Sequence, residues 1–260
     1  MQRIEINGTP IRACWTGIAE GDLSGLRSGP VVSELAGLLG LRGSAGGWTL
    51  SRLRQVHGGD VVLDTTVPVG NGHTAACSPS GNSGLTVVAG GSGAPGIVSG
   101  DAIATGDAIV SGDYRKCLTI LVADCIPVAL AAPEGVYGAV HAGWKGLAAG
   151  VIENAINTIR SCGASDVYAA IGPSIGKCCY EFSREDAMPL VRRYGESVMS
   201  TGSAGRETLD LRAAAGAAIE RSGAQLSWRS EECTYCSGRY FSYRRGDGVS
   251  RQGMFVWRDS

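Results

Sequence analysis

The chain has 260 residues, enough for one large domain or two small ones. A hydrophobic share of 44%, a charged share of 18% and a net charge of −1 describe a folded soluble protein without the global field that would attract nucleic acid or an anionic membrane. No apolar segment reaches membrane-spanning length, and the N-terminus MQRIEINGTPIRACW has no signal-peptide core, so the expected location is the cytoplasm.

RIEI and IRACW near the start read as strands, and VVSELAGLLG (31–40) reads as a helix closed by Gly40. WTLSRLRQVHGGDVVLD is expected to form a strand, a glycine turn and a second strand. Residues 69–100 are rich in Gly, Ser and Ala, which predicts a flexible surface insertion carrying His73 and Cys77. From Gly106 the pattern tightens: GDAIVSG, CLTILVADC, PVALAAP and VYGAVHAG are short apolar runs broken by turns, expected as neighbouring strands. WKGLAAGVIENAINTIRSCG has apolar residues at helical spacing and a stop at Gly163. DVYAAIGPSIG reads as a strand entering a Gly-Pro turn. REDAMPLVRRYG and LDLRAAAGAAIERSG are helix candidates, the first interrupted by Pro189. YFSYRRGDGVSRQGMFVW reads as a hairpin around Gly246–Gly248. The mixture lacks the regular βαβ rhythm of a dinucleotide-binding fold.

Nine cysteines without a signal peptide point to reduced thiols, while histidine is scarce: His57, His73 and His141 are the whole supply. In LVADCIPV, an apolar run is broken by Asp124 and Cys125, with Pro127 close behind; a plain buried strand would carry neither the acid nor the proline. Taken alone, Cys125 reads as a small buried hydrophobe, and a histidine at a strand end as a hydrogen-bonded structural residue. Yet RQVHGG, VADCIP and VHAGWKG each place a metal-competent side chain beside a glycine or a turn. Two imidazoles and a thiolate, His57, His141 and Cys125, would leave an open fourth position on a zinc ion. Asp124 would then orient a ligand or serve as an acid/base. CTYC (Cys233, Cys236) has a zinc or redox spacing, and a structural zinc would need the vicinal Cys178–Cys179 as its second pair; buried or incidental thiols are the default. Arg239, Arg244, Arg245 and Arg251 form either a solvated basic segment or an anion site, and Lys145 stands near the start of an expected helix.

QVHG, ADCIPV, HAGWKGL, IGPSIGKCCYEF and YFSYRRGDGVSRQ, in this order from Gln55 to the C-terminus, together resemble the YfiH family. That family is also called the multicopper polyphenol oxidase or laccase-domain family and the peptidoglycan editing factor family. The resemblance implies an α+β fold: one domain over residues 1–260, a mixed-sheet β-sandwich flanked by helices in four α/β/β/α layers. The catalytic domain of cytotoxic necrotizing factor toxins shares that fold. It also implies a zinc site at His57, Cys125 and His141, and purine nucleoside chemistry: phosphorolysis of adenosine, inosine, guanosine and methylthioadenosine, with adenosine deamination beside it. Gln55, Lys145, Arg244 and Arg245 are the candidate substrate and phosphate contacts. The expected partners are a purine nucleoside and phosphate, with no nucleic acid or membrane, and a monomer or weak homodimer. The N-terminal stretch GIAEGDLSGLRSGP departs from the Arg-Gly-Gly-Val-Ser type segment of the family, and Lys145 stands where arginine is common. Three other functions fit parts of the same set: copper-dependent phenol oxidation by His57, His141 and Cys125; a cysteine hydrolase or amidase with Cys125 as nucleophile and His141 as base, editing peptidoglycan precursors; and a catalytically silent binding protein.

Overall fold

The computed structural model describes residues 1–26, 29–30, 33–39, 41, 48–64, 85–88, 96–98 and 104–259. One sheet has six strands, in the order β1 (Gln2–Glu5), β2 (Ile11–Trp15), β16 (Gln252–Arg258), β9 (Lys116–Val122), β4 (Thr49–Arg52) and β3 (Gly29–Pro30). The other has eight: β15 (Gln225–Arg229), β12 (Tyr168–Ile171), β10 (Ile126–Ala131), β11 (Tyr137–Ala142), β8 (Ala108–Ser111), β5 (Val61–Asp64), β6 (Leu85–Val88) and β7 (Gly96–Val98). A small hairpin, β13 (Met199–Thr201) with β14 (Glu207–Leu209), stands apart.

The period of two along the strands sorts side chains into layers. On β9, Leu118, Ile120 and Val122 point inward to meet Ala129 and Ala131 of β10 and Ile109 of β8, forming the core between the sheets. Cys117 points the other way, with Phe255 and Trp257 of β16, onto Leu35, Ala36 and Leu39 of α1 (Ser33–Leu39). Val128 and Leu130 of β10 face outward from the sandwich onto α2 (Trp144–Ala148), α3 (Val151–Ser161), α4 (Arg184–Tyr194) and α5 (Leu211–Arg221). Helix, sheet, sheet and helices are thus stacked in four layers, as the motifs imply. Trp15 of the first sheet stacks on Trp228 at the edge of the second, ring centroids 4.9 Å apart.

Several expectations are corrected. The helical stretch after His141 is two helices, divided at Gly150 in the left-handed conformation (φ 78°). Pro189 does not stop α4: Ser183 caps it by accepting the Asp186 amide, and the carbonyl deprived of a donor belongs to exposed Glu185. The C-terminal hairpin does not form. β16 instead pairs with β2 and β9, Met254 lying opposite both Trp15 and Ile120, because its alternating apolar residues have a core on each face. Pro127 does lie within a buried strand: it is the second residue of β10, opposite His141. Within the 69–100 stretch, β6 and β7 extend the second sheet beyond β5; the remainder, with His73 and Cys77, lies outside the described residues. Cys162 departs from the expectation of reduced thiols: it is disulfide-bonded, whereas Cys14, Cys117, Cys125, Cys178, Cys179, Cys233 and Cys236 are free. No helix among the described residues is long and apolar enough to cross a membrane.

Candidate metal centre

The turn from β9 to β10 carries Cys125, β11 carries His141, and the loop between β4 and β5 carries His57. The β10–β11 register sets Ile126 opposite Ala142, so Cys125 and Gly143 meet just past the paired ends. One donor atom from each of His57, Cys125 and His141 lies within 4.8 Å of the others. The two imidazoles meet edge to face, 4.7 Å between centroids. His141 is buried, Cys125 half-buried and His57 exposed, so the cluster has one open side. Gly143 is needed bare here: a Cβ would stand 3.1 Å from the Cys125 sulfur and 3.2 Å from His57.

Asp107, just before β8, organises this cluster and was not anticipated from the sequence. Its Oδ1 lies 2.7 Å from Nδ1 of His141, and both groups are buried. Its carboxylate also accepts the amide N–H groups of Val56, His57 and Gly58. Burial disfavours the Asp107 charge, but the His141 contact and these amides outweigh it and lower the carboxyl pKa. An ionised Asp107 keeps the proton on Nδ1 and leaves Nε2 of His141 for the cluster. Burial also disfavours a charged Cys125, yet the imidazoles of His141 and His57 hold the thiol down at about 6. For His141, burial is outweighed by the Cys125 and Asp107 charges, raising it to about 9. A ready thiolate, an imidazole fixed in one tautomer and a second imidazole at an open side fit a soft divalent metal.

Two backbone conformations bear on the site. Among the described residues the non-glycine positions with positive φ are Asn7, His57 (60°) and Asp124 (89°), so one of the three belongs to this cluster and another adjoins its Cys125. Such conformations persist where surrounding bonds impose them. For Asp124 the bonds are plain: Thr234 Oγ1 donates to Oδ1 at 2.6 Å, while Ser242 Oγ and the Arg244 amide donate to Oδ2 at 3.0 and 2.7 Å. The Asp124 carboxylate thus anchors the 234–244 segment against the turn that bears Cys125.

The remaining candidates divide. Gln55 bonds the backbone of Leu121 through both ends of its amide, imitating a strand partner. Arg245 is absorbed by the carbonyls of Thr234, Tyr235 and Tyr240 and by Asp247, so it shapes a loop. Arg244 is exposed, donates to the Glu181 carbonyl and lies 4.8 Å from the Tyr180 ring centroid. Lys145 is exposed, 5.5 Å from the Trp144 centroid. These two cations flank a row of aromatic rings the sequence did not announce: Trp144 meets Phe182 at 5.4 Å and Phe182 meets Tyr180 at 5.3 Å. Trp144 follows His141 by three residues, and the Tyr180 hydroxyl feels the Cys125 charge, so the row borders the cluster.

Residues 37–259 match the family model described as multi-copper polyphenol oxidoreductase laccase. A purine nucleoside phosphorylase of Streptomyces coelicolor is 37% identical over 145 residues, covering 55% of this chain and 60% of that protein. YlmD of Geobacillus stearothermophilus, also named purine nucleoside phosphorylase, is 34% identical over 152 residues, 54% of this chain and 56% of that protein. The chain thus spans less than two thirds of the length of the curated relatives it matches. Among solved structures, a Neisseria meningitidis protein of the DUF152 family superposes with a TM-score of 0.67 at 20% identity, covering all of both chains. The YlmD crystal structure does so with a TM-score of 0.65 at 24% identity, covering 96% of this chain and 92% of that one. At these identities the superpositions speak for the fold. With motifs, fold and a model match over most of its length in agreement, the chain belongs to the multi-copper polyphenol oxidoreductase laccase family, to which the YfiH-like proteins belong.

Proposed function

We propose that the chain is a metal-dependent purine nucleoside phosphorylase, with zinc held by His57, Cys125 and His141. The observation that carries the reading is the convergence of these donors around an Asp107-fixed imidazole. The names of the relatives supply the substrate class. The metal, when bound, would supply a Lewis acid with an open coordination position. Asp107 keeps Nδ1 of His141 protonated, which holds the ring orientation through the reaction. Trp144, Phe182 and Tyr180 offer flat apolar faces against which a purine stacks. Arg244 and Lys145, both exposed, offer positive charge to phosphate approaching the ribose. Adenosine deamination at the same centre is part of this proposal, since an activated water beside a bound purine serves C6 as well.

The test is phosphate-dependent release of hypoxanthine from inosine by zinc-loaded protein, with His57→Ala as the control. Turnover lost with the bound zinc supports the reading. No turnover on any purine nucleoside by fully loaded protein overturns it. Stoichiometric copper in the isolated protein, together with oxygen-dependent phenol oxidation, would favour the copper alternative.

The charge balance of Cys125 and His141 favours one second reading, a cysteine hydrolase in which the thiolate attacks and the imidazolium protonates the leaving group. A covalent adduct trapped on Cys125 during turnover would support it; a thiol inert under bound zinc counts against it.

A further inference from the structure

The four cysteines left unexplained by the sequence converge in space. One sulfur from each of Cys178, Cys179, Cys233 and Cys236 lies within 4.8 Å of all the others. Cys178 and Cys236 sulfurs are 3.9 Å apart, and those of Cys178 and Cys179 are 3.5 Å apart. A disulfide would bring two sulfurs to about 2.05 Å. A tetrahedral ion with metal–sulfur bonds of about 2.3 Å holds its sulfurs about 3.8 Å apart. The observed separations bracket that value.

Two independent features prepare these sulfurs for a cation. The Cys233 sulfur is buried and receives the Gly176 amide at 3.2 Å, with the Tyr235 and Cys236 amides also directed at it. Amides converging on one sulfur stabilise a thiolate. Gly176 is bare against the cluster: a Cβ would stand 3.1 Å from the Cys178 sulfur and 3.5 Å from that of Cys233. Four sulfurs at these separations match the corners of a tetrahedral metal site. A depression of about 680 Å³ lined by Tyr235, Cys236, Phe241 and Arg245 gives a route in from solvent.

We propose that Cys178, Cys179, Cys233 and Cys236 form a second metal site, a tetrathiolate centre for zinc, separate from the His57–Cys125–His141 cluster. Binding releases the thiol protons to solvent and leaves four thiolates on one ion. The site clips two loops that share an anchor. The 175–180 segment bonds Asp124 through the Ile175 amide, and the 233–236 turn bonds it through Thr234. The ion would thus brace the wall behind Cys125 as a positioning element that touches no substrate.

Metal analysis of the full chain isolated from zinc-replete cells is the test. Wild-type protein is expected to carry two zinc ions per chain and Cys236→Ser one. The double variant His57→Ala/Cys125→Ala removes two donors of the other cluster; it should keep one zinc, with four sulfur neighbours at about 2.3 Å by X-ray absorption. Wild-type protein with one zinc that disappears in the double variant overturns the proposal. So does residual zinc with nitrogen neighbours, or a disulfide among these four cysteines in the isolated protein. Should Cys236→Ser fail to fold, the absorption spectrum of the double variant still decides. The outcome is independent of nucleoside turnover, so this site and the proposed activity can fail separately.

Discussion

Asp107 and His141 are bound twice: the carboxylate meets Nδ1 at 2.7 Å, and the His141 amide donates to the Asp107 carbonyl at 2.7 Å. Side chain and backbone of one residue thus fix the ring and the strand that bears it. The same carboxylate holds the His57 amide at 3.0 Å, so two donors from different parts of the chain depend on one acid.

Asp107→Asn keeps the shape but weakens the acceptor and releases the tautomer of His141. Zinc affinity is expected to fall by about 10- to 100-fold, measured by competition with a chromophoric chelator. Unchanged affinity would mean that the His141 ring is held by packing alone.

Asp124→Ala leaves the Thr234 and Ser242 hydroxyls and the Arg244 amide without their acceptor. It should cost about 3 kcal/mol and lower the unfolding midpoint by roughly 10 °C. Loss of turnover at an unchanged midpoint would return Asp124 to a chemical role.

In metal-stripped protein, Cys125 should be alkylated as a thiolate with a midpoint near pH 6, and His141→Ala should move that midpoint upward. Stability is a poor readout of the same pair. The lowered Cys125 contributes stability above the unfolded thiol pKa of 9.0, lost as pH falls toward about 6. The raised His141 contributes below 6.5, lost as pH rises toward about 9. Between 6.5 and 9 the folded pair and the unfolded pair each hold one proton, so the two slopes cancel. A steep melting dependence in that window would have to come from elsewhere.

Gly143→Ala places a Cβ 3.1 Å from the Cys125 sulfur and 3.2 Å from His57. Because the ring and the sulfur must each give way by tenths of an ångström, turnover should fall about tenfold with little change in melting. Wild-type turnover in this variant would show that the donors have slack.

Arg245→Ala should destabilise the loop it holds together, whereas Arg244→Ala should raise the KM for phosphate and leave melting nearly unchanged. An equal effect of both on KM would contradict the division of roles between them.

The grouping of His57, Cys125 and His141 was legible chiefly through the resemblance carried by QVHG, ADCIPV and HAGWKGL; the scarcity of histidine and the neighbouring glycines and turns only narrowed the choice. Asp107 was not: GDAIVSG reads as a strand, and its acid matters through partners 34 and 50 residues away. Likewise CTYC is visible as a pair, but its meeting with Cys178 and Cys179 is a tertiary fact spanning 58 residues. The C-terminal apolar run suggested a local hairpin because nothing local reveals that its partners are β2 and β9. The unbroken apolar run Met254–Trp257 sends its side chains alternately into the cores on the two faces of the sheet. Aromatic residues 144, 180 and 182 carry no motif that predicts their meeting.

The indole pair of Trp15 and Trp228 joins the two sheets at a centroid spacing of 4.9 Å and an interplanar angle of 28°. Chromophores this close couple their electronic transitions, so the pair should give a split signal in circular dichroism that vanishes when the sheets part. Trp228→Phe would abolish that signal and identify its source. Loss of the sandwich could then be followed optically, separately from melting of the helices, and without any label.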